Sequence, residues 1–140
     1  MRSKAPLAVI EQVIMLLVFA LAAAVCLRAF AWADAASRHS GDCDRAWIEA
    51  QSAASVIRQT RGDMDAAAVL WGGCVRDGCW VVEYDKHWNR TDGEGDIHLK
   101  VTPVDTRIPL LGRADVSVEK DGEWLEGLNV LWQEVAEDAE

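Results

Sequence analysis

Apolar side chains fill positions 7–32 almost without a break, and Glu11 is the one acid among them. Residues 13–27, VIMLLVFALAAAVCL, carry no polar side chain. Extended past Glu11, Gln12 and Arg28 to Ala5 and Ala33, the stretch covers about 29 residues, and roughly 20 helical residues cross a hydrocarbon core. The pattern predicts a membrane-spanning helix over 7–33. Arg2 and Lys4 precede it and the flank after Ala33 is acidic on balance, so the positive-inside rule places the N-terminus in the cytoplasm. The chain then divides into a short basic leader (1–6), the span (7–33) and an extracytoplasmic domain (34–140). A cleaved signal peptide is the competing reading, with Ala31-Trp32-Ala33 as its small-x-small site. Against it, the apolar core exceeds the usual h-region and Glu11 and Gln12 interrupt it.

Beyond Ala33 the pattern changes to a stripe. Ala36, Ser40, Cys43, Trp47, Ala50, Ala54 and Ile57 recur in steps of three and four, which marks one helical face. Asp42, Asp44, Arg45, Glu49, Gln51 and Arg58 mostly avoid it. One helix from about Pro6 to Gln59 is expected, apolar all round in its first half and amphipathic in its second, with Gly41 a point where it could bend. Gly62 ends it. Asp63 caps a short second helix, Met64–Trp71, closed by Gly72-Gly73. Strands follow. Residues 79–85 (CWVVEYD) are β-rich, and 89–96 form a polar loop. Ile97, Leu99 and Val101 alternate with polar partners, as do Ala114, Val116 and Val118. Residues 107–112 read as irregular. Asp121-Gly122 is a hairpin signal, and Glu123–Gln133 returns with Trp124, Leu128, Val130 and Trp132 as inward pegs. An acidic, frayed tail is expected over 135–140. The fold class is therefore α+β: a long N-terminal helix, membrane-spanning then amphipathic, packed on a small antiparallel sheet of about four strands.

Charge narrows the partners. Of 23 acidic residues 22 lie in 34–140, against 11 of the 14 basic ones, a net of −11 for that part. A domain this acidic offers no basic stripe to neutralise phosphates, so nucleic acid is not an expected partner. Cys74 and Cys79 flank Val-Arg-Asp-Gly, and outside the membrane a disulfide across that turn is plausible. Cys43 reads as a small hydrophobe on the helix face, and Cys26 lies in the span.

Candidate chemistry is sparse. Asp92, Glu94 and Asp96 in TDGEGD alternate as calcium ligands do, but the full loop spacing is missing and a solvated hairpin loop is the simpler reading. His87 and His98 lack the ligand spacing that zinc would need with Cys74 and Cys79. Neither a metal nor another cofactor is expected. Glu83 and Asp85 share a strand face, where an ordinary polar face explains them better than acid–base work. No GxSxG, no Cys–His pair with a third member and no phosphate loop occurs, so the expectation is not an enzyme. Of Trp47, Trp71, Trp80, Trp88, Trp124 and Trp132, about four should be core. Trp88 is a candidate exposed contact, and Trp32 fits an interfacial belt.

The segment LAVIEQVIMLLVFALAAAV (7–25), followed by an amphipathic half-helix and a small sheet, resembles type IV pilins and the pseudopilins of type II secretion. In that family the mature chain begins on an apolar residue and has a glutamate fifth. Leu7 and Glu11 hold those positions here, and the residue before the cut is Pro6, where the prepilin peptidase of the family takes glycine or another small residue. Pro6 and Leu7 are thus the possible processing site. The helix-breaking Gly and Pro of many major pilins are missing from the span, so the likeness is to a minor or divergent subunit. The resemblance implies a structural role in a pilus or secretion-like filament at the bacterial cytoplasmic membrane. Its implied partners are other pilin-like subunits, an assembly platform and a prepilin peptidase. Glu11 would set intersubunit register, with Leu7, Val13 and Leu17 in helix packing. The alternative is a membrane-anchored or secreted module whose sheet domain binds a peptide or glycan.

Overall fold

The computed structural model describes residues 5–134. The basic leader residues Arg2 and Lys4 and the tail 135–140 lie outside the described residues. Helix α1 is one α-helical element over Ala5–Gln59, with no break at Gly41. Contacts along the chain separate two compact units, Met1–Gly41 and Asp42–Glu140.

In the first unit every described side chain from Leu7 to Gly41 is exposed. The helix is long and apolar enough to cross a membrane or to serve as a signal sequence. Leu, Met and Ala supply helix propensity through the apolar run, so the local preference and the pattern agree.

The second unit is α+β. The last part of α1 contributes Ala46, Ala50, Ala53, Ala54 and Ile57 to a core completed by the sheet. Arg61, at φ 54°, and Gly62 close the helix, with the Gly62 amide donating to the Ile57 carbonyl at 2.9 Å. Helix α2 (Met64–Trp71) has Asp63 as its N-cap, whose carboxylate accepts from the Ala66 amide at 3.0 Å. The strands are β1 (Cys74–Arg76), β2 (Cys79–Tyr84), β3 (Arg90–Thr91), β4 (Ile97–Val104), β5 (Leu111–Lys120) and β6 (Glu123–Gln133). All pairs are antiparallel, in the order β1-β2-β4-β5-β6, with β3 beside β1 on the same edge of β2. Four long strands match the expected ones, and β1 and β3 are short additions. The segment expected to be irregular includes the start of β5, since Leu111 and Gly112 pair with Gln133 and Trp132.

Turn chemistry explains the register. Asp77-Gly78 and Asp121-Gly122 each join two strands with both residues at positive φ. That conformation matches strand twist in two-residue hairpins, and glycine adopts it without a Cβ penalty.

Alternation then sorts the faces. Trp80, Val82, Tyr84, Ile97, Leu99, Val101, Ala114, Val116, Val118 and Val130 point into the core. The helix face opposite is mostly alanine, so the helix packs closely and the sheet supplies the bulk.

Several residues depart from the sequence pattern. Trp47 is 43% exposed, because the buried stripe runs through Ala46, Ala50 and Ala53, one position round the helix. Glu49 lies in that stripe and is buried. Trp88 is half-buried against Tyr84, its ring tilted at 5.8 Å between centroids, and its indole N–H donates to Asp42 at 3.2 Å. Asp42 also pairs with Lys120, so one carboxylate ties the helix to the β5–β6 hairpin and the 85–89 turn. Trp124 is 60% exposed rather than an inward peg. A bulge lets Val118 pair with Glu126 and Glu119 with Trp124, and Leu125 takes the buried position. Of the six domain indoles, Trp80 is fully buried, and Trp71, Trp88 and Trp132 pack partly buried against the core.

Candidate functional site

On α1, Leu7 and Glu11 stand one turn apart on one side of the helix. Val13 and Leu17 stand one turn apart on a second side, the two pairs being separated by about 120° round the helix at helical spacing. All four are exposed. The helix therefore offers two apolar faces, and the acid marks only one of them. Among the described residues Glu11 makes no ion pair. Pro6 sits in the first turn of α1, where a missing N–H costs no helical hydrogen bond.

The cysteine staple is not formed. Cys74 and Cys79 are free thiols. Cys79 pairs with Arg76, and Cys74 pairs with Val81, so the cysteines are diagonal neighbours. Diagonal neighbours on adjacent strands lie roughly 7–8 Å apart, beyond the usual disulfide span. The tight Asp77-Gly78 turn already closes the hairpin. Cys43 packs partly buried against the core, and its thiol is pushed up by burial and then by Glu126 and Asp42.

Glu83 and Asp85 part company. Asp85 lies beyond the end of β2 and folds the 85–89 turn, accepting from the His87 amide at 2.8 Å and the Asn89 amide at 2.9 Å. The Asn89 side chain, then its backbone amide, holds this carboxyl below its usual range. Glu83 stays on the outer sheet face yet is only 6% exposed. One oxygen accepts from Arg76 at 2.8 Å, and the other accepts from the Gly95 amide at 2.8 Å. His98 Nδ1 lies 3.9 Å from the same carboxylate. A buried carboxylate is tolerable only when paired and hydrogen-bonded, as this one is. The loop holding Asp92, Glu94 and Asp96 is thereby pinned through Gly95. Among the described residues no group of three His, Cys, Asp or Glu is placed to hold a metal ion.

Around Glu83 the outer face sinks into an open depression of about 490 Å³, lined also by Arg76, His98, Lys100, Ser117 and Glu119. Sequence reading missed it. Alternation locates its side chains on the outer face, but nothing local signals that Glu83 is buried there.

A second buried carboxylate faces the core. Glu49 accepts from the Tyr84 hydroxyl at 3.1 Å and pairs with Arg45 at 3.0 Å. Burial first, and Glu49 next, push the Tyr84 phenol far above its usual value. A raised phenol contributes stability below the unfolded pKa of about 10 and loses it as pH rises through the folded value. Tyr84→Phe is therefore expected to cost about 1–2 kcal/mol at neutral pH, because Glu49 loses a donor. It should also flatten the alkaline loss of stability. Tyr84 is the chain's one tyrosine, so tyrosinate absorbance reads it directly during pH-jump and urea unfolding. An ordinary titration near pH 10 in the folded protein contradicts the assignment.

Compared with protein-family models, curated proteins and solved structures, the chain matches none.

Proposed function

We propose that this protein is a structural, single-pass subunit of a pilin-like filament. In this reading it is held at the bacterial cytoplasmic membrane by residues 7–33, with residues 34–140 outside. The observation that carries the reading is one acid, Glu11, in the apolar run 7–32 of a helix with no described side chain buried from Leu7 to Gly41. Such a helix needs lipid or other helices to cover it. A carboxylate at a membrane helix centre costs about 2.5–3.5 kcal/mol on insertion scales, less near the headgroups. A neighbouring subunit that brings a cation to Glu11 offsets that cost and sets axial register, the best-attested use of a buried charge. The N-terminal amine of the neighbour is that cation if processing occurs between Pro6 and Leu7.

The architecture supports the reading: one long N-terminal helix, apolar first, then a sheet domain packed on its later turns. Leu7 would flank Glu11 at the charged contact, and Val13 and Leu17 would pack a second neighbour. Other pilin-like subunits, an assembly platform and a prepilin peptidase are the partners this requires. The reading assigns the chain no reaction of its own.

Glu11→Ala should leave the protein folded and membrane-inserted while its recovery in sheared surface filaments falls at least tenfold, about 1.4 kcal/mol per subunit contact. Unchanged recovery rejects the role. Mass spectrometry of the native N-terminus supplies a second check. A chain starting at N-methylated Leu7 supports the reading, and one starting at Asp34 removes it.

A further inference from the structure

We infer that the outer face of the sheet is a binding site for a neutral, hydroxyl-rich chain, an oligosaccharide of about two to three rings. The site is a row across four strands. Glu83 on β2 pairs with His98 on β4, His98 with Glu119 on β5, and Glu119 with Trp124 on β6. At the strand spacing of about 4.8 Å this row is roughly 14 Å long. The depression occupies its Glu83 end, and its volume falls in the roughly 300–1,000 Å³ range of small-ligand sites.

Trp124 occupies the other end, and its position has a specific cause. In uninterrupted register this strand would turn Trp124 inward, but the bulge at Leu125 turns it out. Its indole then lies alongside Gly127, close enough that a Cβ there would sit 3.4 Å from the ring. Gly127 pairs with Ser117, which lines the depression. An aromatic ring seated beside a glycine at the rim of a polar cleft is a platform for the C–H face of a pyranose. An indole also keeps a polar N–H available at its edge.

The polar lining sets the ligand's class. Arg76 and Lys100 supply donors, while Glu119 and Ser117 supply acceptors, all within one shallow surface. Acids outnumber bases in the lining, Asp77, Glu83, Glu94 and Glu119 against Arg76 and Lys100, which disfavours a polyanion, and the two cations set among them interrupt the negative field that a polycation would need. Hydroxyl groups, which donate and accept, use both. Glu83 has its oxygens committed to Arg76 and Gly95, so it is a positioning residue that holds the Arg76 guanidinium at the edge of the cleft. The inference is independent of filament assembly, because every named group belongs to one copy of the chain.

The test is calorimetric titration of the detergent-solubilised full chain with chitohexaose and with cellohexaose, and separately with oligolysine. Saturable binding of at least one sugar is expected. Trp124→Ala should weaken it about tenfold or more, with Glu119→Ala as the second variant, and both should leave the thermal unfolding curve nearly unchanged because the two side chains are exposed. No saturable sugar binding overturns the inference. So does sugar binding that survives both substitutions, or binding of oligolysine alone.

Discussion

Replacing Trp80 by alanine is expected to lower the unfolding free energy of the sheet domain by about 3–5 kcal/mol. Trp80 is fully buried, packs edge-on against Trp71 at 5.7 Å between centroids, and donates its indole N–H to the Gly72 carbonyl at 2.8 Å. Truncation opens a cavity at the meeting point of β2, β4 and the end of α2. It also leaves a helix-terminal carbonyl without its donor. Small domains have about 5–15 kcal/mol in total, so this one change approaches global unfolding. Trp80→Phe separates the two causes: it keeps most of the volume, loses the hydrogen bond, and should cost about 1–2 kcal/mol. Urea unfolding followed by far-ultraviolet circular dichroism measures both. A loss below about 1 kcal/mol for the alanine variant contradicts the placement of Trp80 in the core.

Gly73→Ala should be nearly as damaging, at about 2–5 kcal/mol, for a backbone reason. Gly73 has φ 91°, which L side chains rarely adopt. A Cβ built there lies 2.3 Å from the Val81 carbonyl oxygen and 2.9 Å from Val82 Cγ2. The first contact is with backbone inside a paired strand, which cannot swing aside as a side chain can. Relief requires α2 or β1 to move off β2. That motion also breaks the Trp71 contacts with Arg90, whose guanidinium stacks 4.0 Å above the indole and bonds the Trp71 carbonyl. Gly78→Ala, in the open Asp77-Gly78 turn, has nothing within 4 Å of the added Cβ and carries only the positive-φ cost. The difference between the two variants in the same unfolding assay isolates the collision. Equal losses would mean that φ alone governs both sites.

Trp132 shows the same dependence on glycine from the other end of the sheet. Its indole rests on Gly62 and Gly112, where added Cβ atoms would fall 2.2 Å and 2.1 Å from ring carbons. The two glycines are 50 positions apart in sequence, and only the indole between them explains both. The helix terminus and the last strand are thereby locked through one side chain.

Much of this fold follows from patterns that a few neighbouring residues carry. The apolar run, the end of α1 near Gly62, the cap at Asp63 and the Asp-Gly hairpins depend on interactions within a handful of positions, so they are readable in order along the chain. The alternation in β4 and β5 is equally local, because a strand's faces follow from its period of two. The reading of Glu11 belongs to this class: an acid in an apolar run stands out against its immediate neighbours, whatever the rest of the chain does.

What the chain alone left open depends on partners far away in sequence. The bulge that sends Trp124 outward and Leu125 inward arises from pairing β6 with β5, since either phase satisfies a strand holding adjacent Trp and Leu. Burial of Glu83 follows from Arg76 on β1 and Gly95 in the loop before β4 converging on it, and burial of Glu49 follows from Tyr84 lying opposite. The diagonal offset of Cys74 and Cys79 is set by a two-residue turn whose register a spacing of five does not reveal. Local steric preferences are encoded residue by residue, whereas register, burial of charge and the seating of large rings are cooperative properties of the packed sheet, and they exist only once the strands have met.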